Sequence, residues 1–436
     1  MLTTNNYYVA LALTVITMLT WGTNKVAVKY LTYSVAFYTI DYFTWVFIFH
    51  IIFGLTIGAD YMPPELGYGM ISNLREIINH DDAKGLWVQL GGPALAGAST
   101  AAFSLIMFAL TDGFGLTSAI PLLFGSAMLF GVIASYYVED PARRGNKVLV
   151  FSGVAILFFA VLLNTIASRM NSKSRKANSS SEKDITKPLL DDQQKSESVP
   201  AAEAAPAPAV PAAEAVPAPL PAESAPAPAV PAAEAVPAPL PAESAPAAPT
   251  AEALPAPSGE TTVPIPEPKE AKKLSMTMFV VLGLLGAFFD FFYAPCTAMG
   301  SSGDIPLSPY GVFLVASFAS FVVVYPLAYI LMRWPVKGAK ATWKEYFQAT
   351  WKQRWPAIWS AALLAIGNVC FATAGSTLST TISYALSRGT LLVSALLGIL
   401  CYKEFNGANA STWATQIIAL ILFVVAIVVE AMAAKK

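Results

Sequence analysis

The sequence predicts an all-α integral membrane protein with ten transmembrane helices, arranged as two inverted five-helix repeats that a disordered linker joins. Hydrophobic residues make up 55% of the chain and charged residues 13%, with a mean hydropathy of +0.55. This composition argues against a soluble globular protein. The sequence also contains ten apolar runs, each close to the roughly twenty residues that a spanning helix needs. A stretch rich in proline and alanine separates these runs into two sets of five.

The two membrane halves are predicted over residues 1–170 and 274–436. The apolar runs that define the predicted spans are 7–28, 35–58, 90–110, 116–137 and 147–167 before the linker, and 274–294, 310–332, 355–375, 379–402 and 413–433 after it. Very short turns follow the third and the eighth run, which predicts two helical hairpins. The loop at 333–355 is basic and rich in tryptophan. It forms either a helix at the membrane surface or a loop anchored by its aromatic rings.

The linker is predicted over residues 171–273. The sequence PAAEAVPAPLPAESAPA at 211–227 returns unchanged at 231–247. This repeat has little to bury, so we expect a disordered or polyproline-II segment. Lys and Arg near the run ends, Lys25 and Lys29 among them, place the linker on the cytoplasmic side of the plasma membrane or of an endomembrane. The Pro-x-x-Pro spacings within the linker leave room for cytosolic partners.

Several function classes find no support in the sequence. A net charge of −1 gives no indication of a nucleic-acid partner. Two histidines are too few for a histidine-based metal site, and the three cysteines form no CxxC pair. The enzyme signatures HExxH and GxSxG are absent from the sequence. We therefore expect no catalytic residue, no metal and no cofactor.

Ionisable residues inside the apolar runs are the strongest candidates for a functional site, because charge is costly at membrane depth. Arg388 lies near the middle of the ninth run. It either binds an acidic or carbonyl-rich solute, or forms a structural ion pair with Asp290 or Asp41, or marks a misplaced span boundary. Asp290 lies among four phenylalanines in the sequence FFDFF and is either a proton-coupling group or a counter-ion for Arg388. Asp41, in the second run, is either a second coupling carboxylate or a residue near the membrane surface.

Uncharged polar residues add to this set. Asn368 can donate and accept hydrogen bonds, as a neutral solute requires, or it forms an interhelical hydrogen bond. Tyr384 lies one helical turn before the arginine and is a further candidate ligand of the solute. Trp21 opens the sequence WGTN, which would let the first helix unwind, although a tryptophan there could equally anchor the helix at the membrane interface.

A short internal match links the two halves. Thr117 precedes Gly125, and Thr381 precedes Gly389, with the same spacing of eight residues. An acidic residue ends both runs. Because five spans separate the two copies, such a repeat would be inverted in the membrane, and inverted repeats with a site at their interface are a transporter architecture.

A set of short motifs occurs in a specific order along both halves. The motifs are WGT at 21–23, DY at 41–42, GG at 91–92, GLT at 115–117, YYVED at 136–140, RR at 143–144, FYAP at 292–295, GN at 367–368, LGIL at 397–400 and EF at 404–405. This ordered set resembles the ureide permeases of the drug/metabolite transporter superfamily. The resemblance implies ten spans, an inverted repeat, and proton-linked uptake of allantoin, uracil and related nucleobases.

We therefore predict a secondary active transporter, a symporter that moves small polar heterocycles by alternating access. The residues predicted to contact the solute are Arg388, Asn368, Tyr384, Trp21 and Thr117. Asp290 or Asp41 is predicted to take up the proton.

The chain departs from the family in two places. The central loop of the ureide permeases resembles a Walker A site, whereas the linker here has Gly259 as its single glycine and no GxxxxGK, so nucleotide binding is not expected. The family tends to have a neutral amide in the region where Arg388 stands, which bears on the solute. Two alternatives stay open: a sugar transporter of the glucose/ribose porter type, and a non-transporting membrane scaffold whose linker binds partners.

Overall fold

The computed structural model describes nearly all of both predicted halves. The described residues are 4–60, 69–80, 83–114, 116–139, 141, 144–196, 276–302, 305–336 and 339–434. All regular secondary structure in these ranges is helical. Within them, nine helical segments are long and apolar enough to cross a membrane. The prediction of an all-α chain with many apolar spans is confirmed at this level.

The helices follow the apolar runs closely. Before the linker they are α1 Tyr7–Thr23, a 3-10 segment Asn24–Tyr30, α2 Val35–Leu55, α3 Met70–Asn79, α4 Ala83–Phe114, α5 Leu116–Val138 and α6 Lys147–Ser196. After it they are α7 Met276–Phe291, α8 Tyr293–Gly300, α9 Pro309–Arg333, α10 Trp343–Gln348, α11 Trp351–Leu378, α12 Thr380–Ser387, α13 Thr390–Leu400 and α14 Ala410–Ala433.

Helix α6 extends into the predicted linker. Helix α6 continues past residue 171 to Ser196, so the first part of the predicted disordered segment is helical. Residues 197–275, which contain the repeat and Gly259, lie outside the described residues. The basic loop at 333–355 contains the short helix α10, which a capping box between Thr342 and Glu345 starts.

Three of the spans are interrupted within the residues that the structure describes. The first changes to a 3-10 segment at Asn24, as the WGTN sequence predicts. The sixth breaks between α7 and α8 at Phe292, because Pro295 has no N–H to donate to the carbonyl of the last α7 residue. The ninth breaks between α12 and α13, where the backbone N–H of Arg388 and of Gly389 turn to carbonyls three residues earlier. Irregular backbone at membrane depth requires surrounding protein or a polar cavity.

The two predicted halves pack together, since Met1–Lys187 and Lys269–Lys436 form one unit. Helix α1 packs against α11 and α13, while α7 and α8 pack against α4 and α5. Helix α2 packs against α9 and α11, and α4 packs against α9. Glycines allow the closest approaches: a Cβ on Gly22 would lie 2.6 Å from Val393 Cβ, and one on Gly97 would collide with the carbonyl of Ala316. Small residues at such contacts are typical of helix pairs in membranes.

Candidate functional site

A cavity of about 70 Å3, here called the central cavity, lies where the three interrupted spans meet. Both halves contribute to it. Its lining residues are Trp21, Asn24, Lys25, Tyr42, Thr100, Phe103, Ser104 and Met107 from before the linker, and Asp290, Tyr293, Leu364, Asn368, Arg388 and Thr390 from after it. The cavity lies between the two predicted halves, close to the middle of several spans. This is the position at which the sequence predicts that a solute binds.

Arg388 and Asp290 form a buried ion pair on the wall of this cavity. Arg388 Nη2 lies 3.0 Å from Asp290 Oδ2. Arg388 is 2% exposed and follows the last residue of α12, where the helix dipole favours a cation. Asp290 lies in the last turn of α7, where the dipole disfavours a carboxylate, so the neighbouring cation compensates its charge. Of the partners proposed for Arg388 from the sequence, the structure selects Asp290.

Tyr384 holds the arginine instead of lining the cavity. The guanidinium carbon of Arg388 lies 4.2 Å from the centroid of the Tyr384 ring, and Arg388 Nη2 donates to the Tyr384 hydroxyl. The Tyr384 side chain is fully buried. Its role is therefore to position the guanidinium.

Lys25 is a site residue that the sequence reasoning missed. The sequence counts it among the loop charges on the cytoplasmic side, but the structure buries it in the 3-10 segment at 5% exposure, on the wall of the central cavity. Arg388 and Asp290 are both within electrostatic range of it. Among the described residues that line the cavity, two cations therefore face one carboxylate.

Several buried polar atoms on the cavity wall have no hydrogen-bond partner within the described residues. These atoms are Trp21 Nε1, Asn24 Oδ1, Tyr293 Oη, Asn368 Oδ1 and Thr390 Oγ1. Leaving such an atom unpaired costs about 1–3 kcal/mol, so a cluster of them indicates a site that water or a ligand occupies. The amide nitrogens fix the orientation of the two asparagine side chains. Asn24 Nδ2 donates to Tyr42 Oη at 3.2 Å, and Asn368 Nδ2 lies 3.4 Å from His50 Nε2.

Aromatic rings form one side of the cavity. The Trp21 ring lies 5.9 Å from Tyr293 and 5.5 Å from Phe371, measured between centroids. Trp21 is only 8% exposed, so it packs inside the protein and does not anchor the helix at the membrane interface. Such a wall can pack against a flat apolar face while the indole and phenol polar atoms remain available to a ligand.

Asp41 lies in a different environment. Asp41 Oδ1 lies 2.5 Å from Arg354 Nη1 and accepts a hydrogen bond from Tyr346 Oη at 2.8 Å. Tyr33 Oη donates to the other carboxylate oxygen at 3.1 Å. Burial, reinforced by the neighbouring carboxylate, raises the pKa of Tyr346 and of Tyr33 above the ordinary value, so both phenols keep the protons that they donate. The structure does not bring Asp41 to the central cavity. Thr117 lies in α5, and its side chain is outside the described part of the chain.

Two larger cavities lie at opposite ends of α9 and α11. One, of about 650 Å3, is lined by residues that include Tyr33 and Leu331. The other, of about 360 Å3, is lined by residues that include Ser308 and Ser376. Neither cavity shares a described lining residue with the central cavity.

Glu139 positions the element that carries Arg388. Its two carboxylate oxygens accept the backbone N–H of Thr380 at 2.6 Å and of Thr381 at 3.2 Å. A carboxylate at these first N–H groups caps α12 and complements its dipole. The YYVED motif marks this glutamate in the sequence, but only the fold shows which helix it caps.

Among the described residues, no group of three His, Cys, Asp or Glu side chains could hold a metal ion. The polar groups of the central cavity are suited to an organic solute: two cations, one carboxylate, amides and hydroxyls beside aromatic rings. No protein-family model, no curated protein and no solved structure matches the chain. The resemblance to the ureide permeases therefore stays a prediction.

Proposed function

We propose that the chain is a secondary active transporter that couples proton movement to the transport of small polar heterocycles such as allantoin, uracil and related nucleobases. It would act by alternating access in the plasma membrane or an endomembrane, with the linker on the cytoplasmic side. The observation that carries the proposal is the central cavity itself. A polar, charged cavity between two membrane halves, built at broken helices, is the arrangement that transporters use for their solute.

The packing of the helices supports a ten-span inverted repeat. If the first five spans correspond to the last five in order, the contact of α1 with α11 corresponds to that of α7 and α8 with α4. In the same way, the contact of α2 with α11 corresponds to the contact of α9 with α4. The contact of α2 with α9 joins two equivalent spans and therefore corresponds to itself. In this proposal α5, which has 23 residues and coincides with the fourth apolar run, also crosses the membrane. It brings the number of spans from nine to ten.

The solute would bind with its ring against the aromatic wall and its polar edge towards the charged residues. Arg388 suits carbonyl oxygens, and the amide oxygens of Asn24 and Asn368 suit ring N–H groups. At about 70 Å3 the cavity is well below the roughly 300 Å3 at which ligand pockets begin. The proposal therefore includes a separation of the two halves that widens the cavity when a solute enters from either end.

Asp290 would take up the proton. While it is ionised, it compensates Arg388 across the 3.0 Å ion pair. Protonation removes that charge and lets the guanidinium donate to the solute instead, so solute binding and proton binding favour each other. Asp41 is not given this role, because three donors already engage its oxygens.

The test is uptake of labelled uracil by the purified full-length protein in liposomes, driven by a proton gradient. Saturable uptake that allantoin inhibits, that glucose does not inhibit and that a protonophore abolishes is the expected result. Inhibition by glucose but not by allantoin would favour the sugar porter. If no uracil, allantoin or sugar moves in either direction, the proposal of transport is wrong for these solutes.

A further inference from the structure

Glu430 is a buried carboxyl on the inward face of α14. Its side chain is 1% exposed, and the buried residues before it on the same face are Ala419, Phe423 and Ala426. These residues recur at intervals of three and four positions, which is the spacing of one helical face. Glu430 therefore occupies a position where this face of the helix is otherwise apolar.

The packing leaves room for this side chain. A Cβ on Gly153 of α6 would lie 2.5 Å from Glu430 Cγ and 3.4 Å from Glu430 Oε1, so the glycine provides the space that the carboxyl occupies. Helices α12 and α13 also pack against α14. The carboxyl is therefore enclosed by protein although it lies within one turn of the end of its helix.

Neither oxygen of this carboxyl has a hydrogen-bond partner within the described residues. An ionised carboxylate without a partner is costly away from water, and such a group becomes neutral by binding a proton. Glu139, near the start of α6, provides the contrast, because its oxygens accept the backbone N–H groups of Thr380 and Thr381. Of these two buried glutamates, Glu139 has structural partners and Glu430 has none in the described part of the chain.

The charged and titratable groups around this end of α14 leave Glu430 without a partner. On the described elements that pack there, these groups are Tyr7, Tyr8, Glu139, Arg144, Lys147, Tyr384 and Arg388. Among the cations, Lys147 is exposed and Arg144 donates to two backbone carbonyls. Arg388 pairs with Asp290. No cation in this set therefore compensates a charge on Glu430.

A cavity of about 440 Å3, here called the end cavity, lies one helical turn from Glu430. Its lining residues include Tyr7, Gly145 and Ala434, and Ala434 follows Glu430 by four positions, on the same side of the helix. Tyr7 Oη donates to the carbonyl of Ala431 at 2.8 Å. Liquid water takes up about 30 Å3 per molecule, so the end cavity is large enough to bring water close to the carboxyl.

We propose that Glu430 is a proton-binding site that controls whether this end of the protein is open to water. With its proton bound, the neutral carboxyl stays packed at Gly153 and the end is closed. Once the proton leaves, the carboxylate requires water, which reaches it from the end cavity as α14 separates from α6 and α12. This inference rests on the alternating access of the proposed function and assigns a proton site outside the central cavity.

The direction of the pH effect follows from the burial. The closed arrangement favours the protonated carboxyl and the hydrated, open arrangement favours the carboxylate, so closing is favoured at low pH and is lost as pH rises. Helix α6 leads from this end of the protein to the linker. The site therefore responds to the pH on the face of the membrane opposite the linker.

Infrared difference spectra test the bound proton. A protonated carboxyl has a C=O stretching band apart from the amide bands, and the full-length protein in lipid should show such a band at neutral pH and lose it at alkaline pH. Glu430→Gln should remove this pH-dependent band, and Glu430→Asp should shift it. Glu345→Gln is the matched control, because Glu345 is an exposed glutamate that caps α10, and it should leave the band unchanged.

Amide hydrogen exchange tests the opening. The native protein and Glu430→Gln are compared at each pH over residues 144–150 and 376–383, so that the intrinsic chemical rate cancels. The two proteins should exchange alike at neutral pH. At higher pH, exchange in the native protein should rise relative to the variant by up to about tenfold per pH unit, the limit that one titrating proton sets. The residues of α10 should show no such difference.

The outcomes distinguish this inference from the proposed function, because neither measurement needs a solute. A missing pH-dependent band, or an unchanged band in Glu430→Gln, would overturn the proton site. Equal exchange in the native protein and Glu430→Gln at every pH would overturn its control of the opening. If Glu430→Gln does not fold, Glu430→Asp replaces it, since a shorter acid should move the band and the opening together. Failure of the native protein to transport any solute would overturn the proposed function alone.

Discussion

Two arginine–carboxylate pairs lie inside the described part of this helical assembly, and their surroundings differ. The pair of Arg354 and Asp41 joins α11 to α2, and therefore one predicted half to the other. The pair of Arg388 and Asp290 joins two interrupted spans of the second half. Both carboxylates are buried, at 4% and 6% exposure, so burial alone does not distinguish them.

What distinguishes the pairs is how completely the carboxylate is hydrogen-bonded. Asp41 accepts from Arg354, Tyr346 and Tyr33. Asp290 Oδ2 has its ion pair but no aligned hydrogen bond within the described residues, and it borders a cavity with further unpartnered atoms. A fully bonded buried network fixes a structure, whereas a partly bonded one leaves groups for a ligand or a proton. The first pair is therefore structural and the second is the candidate site.

Removing the charge of Arg388 should have the largest effect on transport. Arg388→Gln should lower the uptake rate at least about tenfold, because a charged hydrogen bond to the solute is lost. The single variant leaves Asp290 less well compensated, so the double variant Arg388→Gln with Asp290→Asn should be the more stable of the two while uptake stays lost. Uptake in liposomes and thermal unfolding in detergent measure the two effects separately.

Normal uptake by Arg388→Gln would place both pairs in the structural class and remove the contrast between them. Arg333→Gln is a suitable control, since Arg333 contacts the Tyr329 ring and hydroxyl at the end of α9, away from the central cavity. It should leave uptake unchanged.

The opposite pattern is expected for the other pair. Arg354→Gln should destabilise the protein by about 3 kcal/mol, at the lower end for a broken buried pair because the arginine is partly exposed. The half-saturation concentration for the solute should not change, since neither Arg354 nor Asp41 lines the central cavity. Thermal unfolding and uptake kinetics of the same preparation give both numbers. A changed half-saturation concentration at unchanged stability would give this pair a role in transport.

The sequence predicted the two pairs unequally for a physical reason. Apolar length reveals the spans, and the cost of a charge at depth marks Arg388, Asp290 and Asp41. The residues around Asp41 in the sequence do not show that it pairs with Arg354, 313 positions away. Arg354 belongs to a basic loop, where the charge of an arginine costs little free energy. The contrast in hydrogen bonding therefore became visible only in the fold.

The buried position of Lys25 and the capping role of Glu139 were missed for a related reason. A lysine after an apolar run normally reaches water with its long side chain, and only the 3-10 segment turns Lys25 inward. Glu139 follows another run, and its partner Thr380 lies 241 positions away. The WGTN sequence did predict the first interruption, because glycine and asparagine weaken a helix. The break at Phe292 depends on Pro295, which lies one residue beyond the predicted run 274–294.

Substitutions at the two glycines near the start of the third span test the packing around α8, the helix that follows the break in the sixth span. A Cβ on Gly92 would lie 2.7 Å from the carbonyl oxygen of Cys296 in α8, whereas a Cβ on Gly91 would meet nothing within 4 Å. Gly92→Ala should cost about 1–3 kcal/mol of stability through overpacking and reduce uptake, because α8 follows the break beside Asp290. Gly91→Ala is the matched control and should change neither. Equal effects of the two variants would mean that the contact does not position α8.

The smallest expected effect concerns Tyr346 and sharpens the structural side of the contrast. Tyr346→Phe removes one hydrogen bond to Asp41 and should cost about 1 kcal/mol at neutral pH. Burial raises the pKa of Tyr346 above its ordinary value of 10.0, so folding favours the protonated phenol. That contribution is fully present below the ordinary pKa and is lost as pH rises through the folded one. The stability difference between the native protein and Tyr346→Phe should therefore shrink above pH 10.

Tyr30→Phe, at a side chain that is 64% exposed, should change the stability little at neutral pH. A difference that stayed constant up to the alkaline limit would show that Tyr346 does not keep its proton for Asp41, and the contrast in hydrogen bonding would then rest on Arg354 and Tyr33 alone.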